Sequence, residues 1–247
     1  YKYYKEMYMS TYVISDIHGE YEKFNDLLKK IDLKDTDTLY VLGDVLDRGH
    51  HPIRTLLQLM EMDNAVCLAG NHELMAIDCL EFLTKNSTDI PIDKLDEEVL
   101  DALVTWQYNG SSTTISEFRS LSLDTQQKVI DYLMDMPVYE KLTVSGRKYL
   151  LVHAGLGNYS PDKELDDYSM DELVWDRADY NIQYFDDVYV VTGHTPTRTI
   201  QENDRPGYIF RKNNHIAVDC GACYPDGRLA AIRLDDGMEF YSEIISN

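Results

Sequence analysis

The chain has 247 residues and carries 44 acidic against 23 basic side chains, which gives a formal net charge of −21. With 44% hydrophobic residues it can bury a sizeable core, so disorder of the whole chain is excluded. The strong negative charge argues against partners such as nucleic acids or anionic membrane surfaces. No apolar run approaches the roughly 18 residues of a membrane-spanning helix, and the first residues contain no apolar signal-peptide core, so a cytoplasmic location is expected.

The first 84 residues alternate between strand-like and helix-like patterns. The strand-like runs cover residues 11–15, 38–43 and 65–70. Apolar residues at helical spacing predict helices at residues 20–31, 52–60 and 72–83. This β-α-β-α-β-α order predicts a largely parallel sheet with helices packed on it.

The middle of the chain changes character. Residues 86–98 are charged and poor in core residues, which predicts a loop or insertion, and helical patterns follow at 96–108 and 123–136. We expect residues 85–136 to form a small helical cap beside the sheet.

After residue 136 the pattern is rich in strands. Ser145-Gly146, Asn213-Asn214 and Asp236-Gly237 separate pairs of strand-like runs, as hairpin turns do. No linker rich in Pro, Gly or Ser separates the two halves, so we expect a single domain over residues 1–247. The fold class is α/β, with two sheets and outer helices.

Polar side chains that can bind metal ions stand directly after five of the strand-like runs: Asp16, His18, Asp44, Asn71, His153 and His194. Ligands bind at the carboxyl ends of strands in α/β sheets, so we expect these side chains to converge. Oxygen ligands combined with neutral imidazoles suit Mn, Fe or Zn, and a carboxylate can bridge two ions because it has two oxygens. The set predicts a site for two divalent metal ions that clamp a phosphoryl group.

Four further residues complete the predicted chemistry. His72 follows Asn71 and can serve as the general acid that protonates a departing alkoxide, while Asp47 can hold its tautomer. Arg48 and Arg177 can grip phosphate oxygens through planar guanidinium forks, which matters in a chain that otherwise repels a phosphate dianion. A lone histidine at a strand end is usually structural. Four of the seven histidines stand at such ends, however, together with the motifs DxHG, GDxxDRG and GNHE in that order, and this favours a common function.

These motifs resemble those of the phosphoprotein phosphatase family of calcineurin-like metallophosphoesterases, most closely its small bacterial and phage-type serine/threonine phosphatases. The matching segments are SDIHG at 15–19, GDVLDRG at 43–49, GNHE at 70–73 and GHTPT at 193–197. Ser15 stands where the family usually has Gly, and we expect little effect from it. The resemblance implies a two-sheet metallophosphoesterase sandwich with outer helices, in the layer order α/β/β/α.

The resemblance also implies how the metal ions are held. Asp16 and His18 bind one ion, Asp44 bridges both, and Asn71, His153 and His194 bind the second. Manganese is the expected metal, with iron or zinc as alternatives.

The remaining roles follow from the same resemblance. His72 is the proton donor, Asp47 its partner and Arg48 a phosphate contact. The segment LVWDR at 173–177 resembles the family stretch that carries a second phosphate-binding arginine, which makes Arg177 the candidate. WQYNG at 106–110 resembles a helical-cap element of the phage-type enzymes and is expected at the rim of the site.

The activity implied is hydrolysis of phosphate monoesters, most directly of phosphoserine and phosphothreonine in a phosphorylated protein. A metal-bound hydroxide is expected to attack phosphorus in line, without a phosphoenzyme. GHTPT is shared with symmetrical diadenosine tetraphosphate hydrolases, so diadenosine tetraphosphate, whose phosphoanhydride would be hydrolysed, is the alternative small phosphoester substrate. A binding module that has lost catalysis is a more remote alternative, because every expected ligand is present.

Three other features receive no catalytic role. Glu73 is interpreted as an acid in the first turn of a helix, favoured by the helix dipole. Cys220 and Cys223 form a CxxC that lacks two further ligands for zinc. His215 is expected on the surface.

Overall fold

A computed structural model describes residues 9–85 and 97–244. Its first half contains β1 (Thr11–Ile14), α1 (Tyr21–Ile31), β2 (Thr38–Val41), α2 (Pro52–Met60), β3 (Ala65–Cys67) and α3 (Asn71–Lys85). Three helices follow: α4 (Glu97–Tyr108), α5 (Ser112–Arg119) and α6 (Leu123–Met134). The second half contains β4 (Tyr139–Val144), β5 (Arg147–Val152), α7 (Met170–Val174), β6 (Val188–Thr192), β7 (Phe210–Lys212), β8 (His215–Ala217), β9 (Ala230–Arg233) and β10 (Glu239–Tyr241).

The strands form two mixed five-stranded sheets. The first has the order β10-β9-β1-β2-β3, with β1, β2 and β3 parallel and β9 and β10 antiparallel additions. The second has the order β4-β5-β6-β8-β7, with β5, β6 and β8 parallel between two antiparallel edge strands. The α/β two-sheet fold expected from the sequence is confirmed.

Strand β1 shows how the layers are built. Its middle residue, Val13, packs with Leu151 and Val191 of the second sheet, so this side chain lies between the sheets. Its neighbours Tyr12 and Ile14 point to the other face, into a core shared with the helices. One strand therefore serves both the inner core and the helical layer. No described helix is long and apolar enough to cross a membrane.

The cap region differs in part from the sequence-based expectation. Helices α4 and α6 are present within the predicted ranges, but α5 was not predicted. Its sequence, STTISEFR, is short and polar and shows little apolar periodicity, so only its contacts reveal it. The predicted loop at residues 86–98 lies mostly outside the described residues.

The expectation that His215 is a surface residue was wrong. It is 1% exposed, its Nε2 lies 2.9 Å from the carbonyl oxygen of Ile182, and the rings of Tyr180 and Tyr184 pack against it. The chain segment that covers His215 is about 30 residues away in sequence. The local pattern beside the Asn213-Asn214 turn gave no sign of it.

The loops that leave β2 and β3 approach each other very closely. Gly43 has φ +80°, and a Cβ placed on it would lie 2.4 Å from the backbone nitrogen of Gly70. A side chain there would therefore force apart the two loops that carry Asp44 and Asn71.

We expect Gly43→Ala to lower the free energy of unfolding by about 3 kcal/mol or more, from left-handed strain and steric overlap together. Gly146→Ala is the matched control, because Gly146 has φ +78° but nothing within 4 Å of the added Cβ. It should cost only the strain, about 1 kcal/mol. Urea unfolding of both variants measures the difference, and equal losses would show that the close approach has no energetic weight.

Candidate active site

The loops after β1, β2, β3, β5 and β6 bring the predicted ligands together around Asp44. Its Oδ2 lies 3.5 Å from Nε2 of His18, and its Oδ1 lies 3.3 Å from Nε2 of His153. Asn71 Oδ1 is 3.0 Å from the same His153 nitrogen. Among the described residues, two groups of possible metal-binding atoms share Asp44, one with His18 and His72 and the other with His153 and His194.

The hydrogen bonds of the imidazoles indicate which nitrogens face the centre. Nδ1 of His18 lies 2.8 Å from the carbonyl oxygen of Leu46, and Nδ1 of His153 lies 2.5 Å from that of Leu42. Each Nδ1 therefore carries the proton, and each Nε2 directs a lone pair inward.

Lone pairs consequently converge without a hydrogen between them. Nε2 of His153 faces oxygens of Asn71 and Asp44, and all three are acceptors in this arrangement. A cation resolves such a repulsion, and this mixture of oxygen and imidazole donors suits Mn, Fe or Zn. The residues present fit a pair of divalent ions with Asp44 between them.

Burial sets the ionisation of the centre. It lowers the pKa of His153 to about 3 and that of His194 to about 4, which keeps both imidazoles neutral, as metal ligation requires. Burial also raises the pKa of Asp44 well above its usual value, and the charges of Asp16 and Glu73 add to the shift. A bound cation would stabilise the ionised form of this carboxylate.

Asp16 is anchored differently from the other predicted ligands. Its Oδ2 accepts hydrogen bonds from the Ser15 hydroxyl and, at 2.9 Å, from the backbone N–H of His194. These contacts join the loops after β1 and β6. Asp16 is not part of the two groups around Asp44, and its role as a ligand stays a prediction.

Left-handed backbone is concentrated at the site. Six of its residues have φ between 47° and 70°: Asp16, His18, Asp44, Asp47, Arg48 and His194. Each such residue costs of order 1–3 kcal/mol and persists only where its surroundings enforce it. Backbone hydrogen bonds from Asp16 N to Gly43 O (3.1 Å) and from His18 N to Asp44 O (2.9 Å) link the strained loops.

Glu73 has a structural role that the sequence did not reveal. Its fully buried carboxylate accepts four backbone N–H groups: Oε2 from Asp44 (2.7 Å) and Gly70 (2.9 Å), Oε1 from Val45 (2.9 Å) and Leu46 (3.2 Å). It stands in the first turn of α3, as expected, but three of its four partners belong to the loop after β2. Those partners are 27–29 residues away, so no local signal points to them.

His72 and Asp47 form a buried pair. Nδ1 of His72 lies 2.6 Å from Asp47 Oδ2, and both side chains are 0% exposed. Burial raises the pKa of Asp47 to about 7, while hydrogen bonds from Thr114 and Trp106 oppose that shift. Burial, aided by the charge of Arg48, lowers the pKa of His72.

Arg48 presents its guanidinium at the same place. One terminal nitrogen lies 2.8 Å from Nε2 of His18 and the other lies 3.0 Å from Nε2 of His72. The side chain of Arg48 is therefore at the centre of the site, where a phosphate contact was predicted.

The resemblance led us to expect the segment at 106–110 at the rim of the site. Its first residue, Trp106, is instead buried. It is 0% exposed, and its indole N–H donates to Asp47 Oδ2 at 2.8 Å. The Thr114 hydroxyl donates to Asp47 Oδ1 at 2.5 Å. The acidic partner of His72 thus receives three donors, two of them from the cap.

The second half of the chain contributes two more charged groups. Arg177 is exposed, and its charge helps to lower the pKa of His194 after the larger effect of burial. Burial raises the pKa of Asp16, and the charge of the buried Asp219 adds to that shift. Asp219 directly follows the strand-like run HIAV, so the strand-end pattern that indicated the other residues applied to it as well.

Cys220 and Cys223 are free thiols at the edge of the site. Sγ of Cys223 lies 3.9 Å from a terminal nitrogen of Arg48, and Cys220 is buried.

Known proteins resemble this chain in sequence and in fold. The family model described as calcineurin-like phosphoesterase matches residues 9–218. The metallophosphoesterase of Sphaerobacter thermophilus has a similar fold, with a TM-score of 0.56 and 16% identity over 97% of this chain and 89% of that one. The chain belongs to the calcineurin-like phosphoesterases.

Curated relatives carry two kinds of name. The serine/threonine-protein phosphatase 2 of Salmonella typhimurium is 27% identical over 70% of each chain. The symmetrical bis(5′-nucleosyl)-tetraphosphatase of Erwinia tasmaniensis is 35% identical over 46% of this chain, a match that spans only 42% of that relative's length. The asymmetrical bis(5′-nucleosyl)-tetraphosphatase of Halalkalibacterium halodurans is 26% identical over 93% of this chain and 92% of its own.

We expect Glu73→Gln to lower the free energy of unfolding by about 2–4 kcal/mol, because the amide NH₂ would face backbone N–H groups and leave donors unpaired. Mn²⁺ affinity should fall at least about tenfold, because the loop that carries Asp44 loses its anchor. Urea unfolding and calorimetric Mn²⁺ titration measure the two effects.

Glu22→Gln is the matched control for this change, since Glu22 is an exposed acid in the first turn of α1. If Glu73 acted only on its helix dipole, the two substitutions would cost the same, less than about 1 kcal/mol each.

Proposed function

We propose that the chain is a serine/threonine protein phosphatase that hydrolyses phosphate monoesters in a single in-line displacement, with two Mn²⁺ ions as its metal pair. The observation that carries this proposal is the buried His72–Asp47 pair, with Nδ1 held 2.6 Å from the carboxylate and Nε2 directed toward Asp44 and the guanidinium of Arg48. The phosphatase relative from Salmonella typhimurium, similar over 70% of the chain, supports the same substrate class.

The leaving group explains why this pair favours monoesters. The alkoxide of a serine or threonine side chain is a strong base and departs readily only when an acid protonates it. A nucleotide phosphate released from an anhydride is a much weaker base and has less need of that proton. A His–Asp pair that is fully buried and held in one orientation therefore favours an alkyl phosphate as the substrate.

Other residues of the chain would hold the metal ions and bind the phosphoryl group. Asp16, His18, Asp44, Asn71, His153 and His194 would hold the metal ions. When bound, such ions lower the pKa of water and neutralise charge on the phosphoryl group. Arg48 and Arg177 bind phosphoryl oxygens, and their charge offsets the repulsion from a chain with a net charge of −21. His72, once protonated at Nε2, delivers that proton to the leaving oxygen, while Asp47 keeps the proton on Nδ1 and stabilises the imidazolium.

Hydrolysis of a dinucleoside tetraphosphate is the second candidate function. It is favoured by the Halalkalibacterium halodurans relative, which is similar over nearly the full length of both chains. Such a substrate needs space for a nucleotide beside the cap. Two surface clefts there, of about 480 and 470 Å³, are lined by cap residues such as Gln107 and Ile115 and include no residue of the predicted site.

Side-by-side assays on metal-stripped protein reloaded with Mn²⁺ test the proposal. A phosphoserine peptide should be hydrolysed with a higher kcat/KM than diadenosine tetraphosphate, and Asp44→Asn should abolish turnover of both. A preference for the dinucleotide would establish the second candidate instead. Absence of turnover with Mn²⁺ bound would contradict both functions.

A further inference from the structure

The helical cap reaches the acid pair from the side opposite the metal-binding groups. Asp47 accepts hydrogen bonds from Trp106 of α4 and Thr114 of α5 in addition to His72. All four side chains are buried to 0% exposure. The cap thus forms the environment of the carboxylate on which the orientation of His72 depends.

Backbone contacts tie the same two helices to the loop that carries Asp47. The N–H of Asp47 donates to the Thr114 hydroxyl oxygen at 3.0 Å, and the N–H of Arg48 donates to the carbonyl of Gly110 at 3.0 Å. Both loop residues are left-handed, with φ of 70° and 66°. Thr114 therefore contacts the backbone and the carboxylate of Asp47 at once.

We propose that Trp106 and Thr114 are positioning residues of proton transfer, which act through Asp47 to keep His72 oriented with Nε2 toward the leaving oxygen. This inference rests on the proposed function, because it assumes that His72 donates a proton to an ester oxygen. It assigns part of the catalytic machinery to the cap.

The donor chemistry of the two residues supports this role. An indole N–H can only donate, so the Trp106 contact requires Asp47 Oδ2 to remain an acceptor. The Thr114 hydroxyl donates to the other carboxylate oxygen and accepts from the Asp47 N–H, which fixes its own orientation. Both carboxylate oxygens of Asp47 therefore accept hydrogen bonds, and the one that accepts from the indole N–H also lies next to Nδ1 of His72. The proton available for transfer is then the one on Nε2.

Two substitutions remove one donor each while keeping most of the side-chain volume: Trp106→Phe and Thr114→Val. Each should lower kcat on a phosphoserine peptide about tenfold, the weight of one hydrogen bond to a charged group, with little change in KM. On 4-nitrophenyl phosphate, whose leaving group needs no proton, each loss should stay below about threefold. His72→Asn removes the acid itself, so it should show the largest difference between the rate losses on the two substrates and serves as the reference.

Neighbouring variants provide the controls. Thr114→Ser keeps the hydroxyl and should restore the phosphoserine rate to within about threefold of the original. Thr113→Val removes a hydroxyl whose oxygen is buried without a hydrogen-bond partner, so it should leave both rates unchanged. Equal losses on the two substrates for Trp106→Phe and Thr114→Val would overturn the proposal, because they would indicate a general distortion of the site.

Proton NMR of the metal-free protein gives a readout that does not depend on turnover. The Nδ1 proton of His72, identified by its absence in His72→Asn, should resonate at low field because it is hydrogen-bonded to a carboxylate. Trp106→Phe and Thr114→Val should shift or broaden this signal, and Thr113→Val should not. An unchanged signal in both variants would overturn the positioning role, whichever substrate the protein hydrolyses. If the unaltered protein fails to hydrolyse the phosphoserine peptide, the proposed function fails, and the NMR result still decides the role of the cap.

Discussion

Four backbone N–H groups point at one buried carboxylate, that of Glu73, and the geometry of the site depends on this interaction. Three of the donors belong to Asp44, Val45 and Leu46 after β2, and the fourth belongs to Gly70 before α3. A buried charge is stable only when its lone pairs are matched in this way. The contact fixes the bridging candidate Asp44 relative to the helix that begins with Asn71 and His72. The contact thereby fixes the position of the predicted metal-binding groups relative to the His72–Asp47 pair.

The same anchoring holds the strained backbone. Six site residues occupy the left-handed region, at a cost of order 1–3 kcal/mol each, which contacts with the surrounding structure must offset. Hydrogen bonds between the loops after β1 and β2 supply the constraint, together with those that the N–H groups of Asp47 and Arg48 donate to the cap. The two sheets therefore serve mainly to bring these loops together, and the loops hold one another.

Electrostatics gives the centre its selectivity for cations. Lone pairs of His18, His153, Asn71 and Asp44 meet in a buried volume, in a chain with a net charge of −21. The only guanidinium that the described contacts place among them is that of Arg48. In the proposed phosphatase, bound metal ions would add positive charge beside the guanidinium of Arg48, and both would favour a phosphate dianion.

Much of this arrangement was predictable because it follows from strand ends. Asp44 and His153 directly follow apolar strand-like runs, and the hairpin turn predicted at Ser145-Gly146 joins the antiparallel strands β4 and β5. The roles of Glu73, Trp106 and Thr114 were not predictable, because their partners are 27 to 67 residues distant in the chain. The burial of His215 depends in the same way on a remote loop.

Anomalous diffraction from crystals grown with Mn²⁺ tests most directly the proposal that Asp44 lies between two metal ions. We expect two manganese peaks bridged by the Asp44 carboxylate. One should have Asp16 and His18 as ligands, and the other should have Asn71, His153 and His194. A single peak, or two peaks that do not share Asp44, would contradict it.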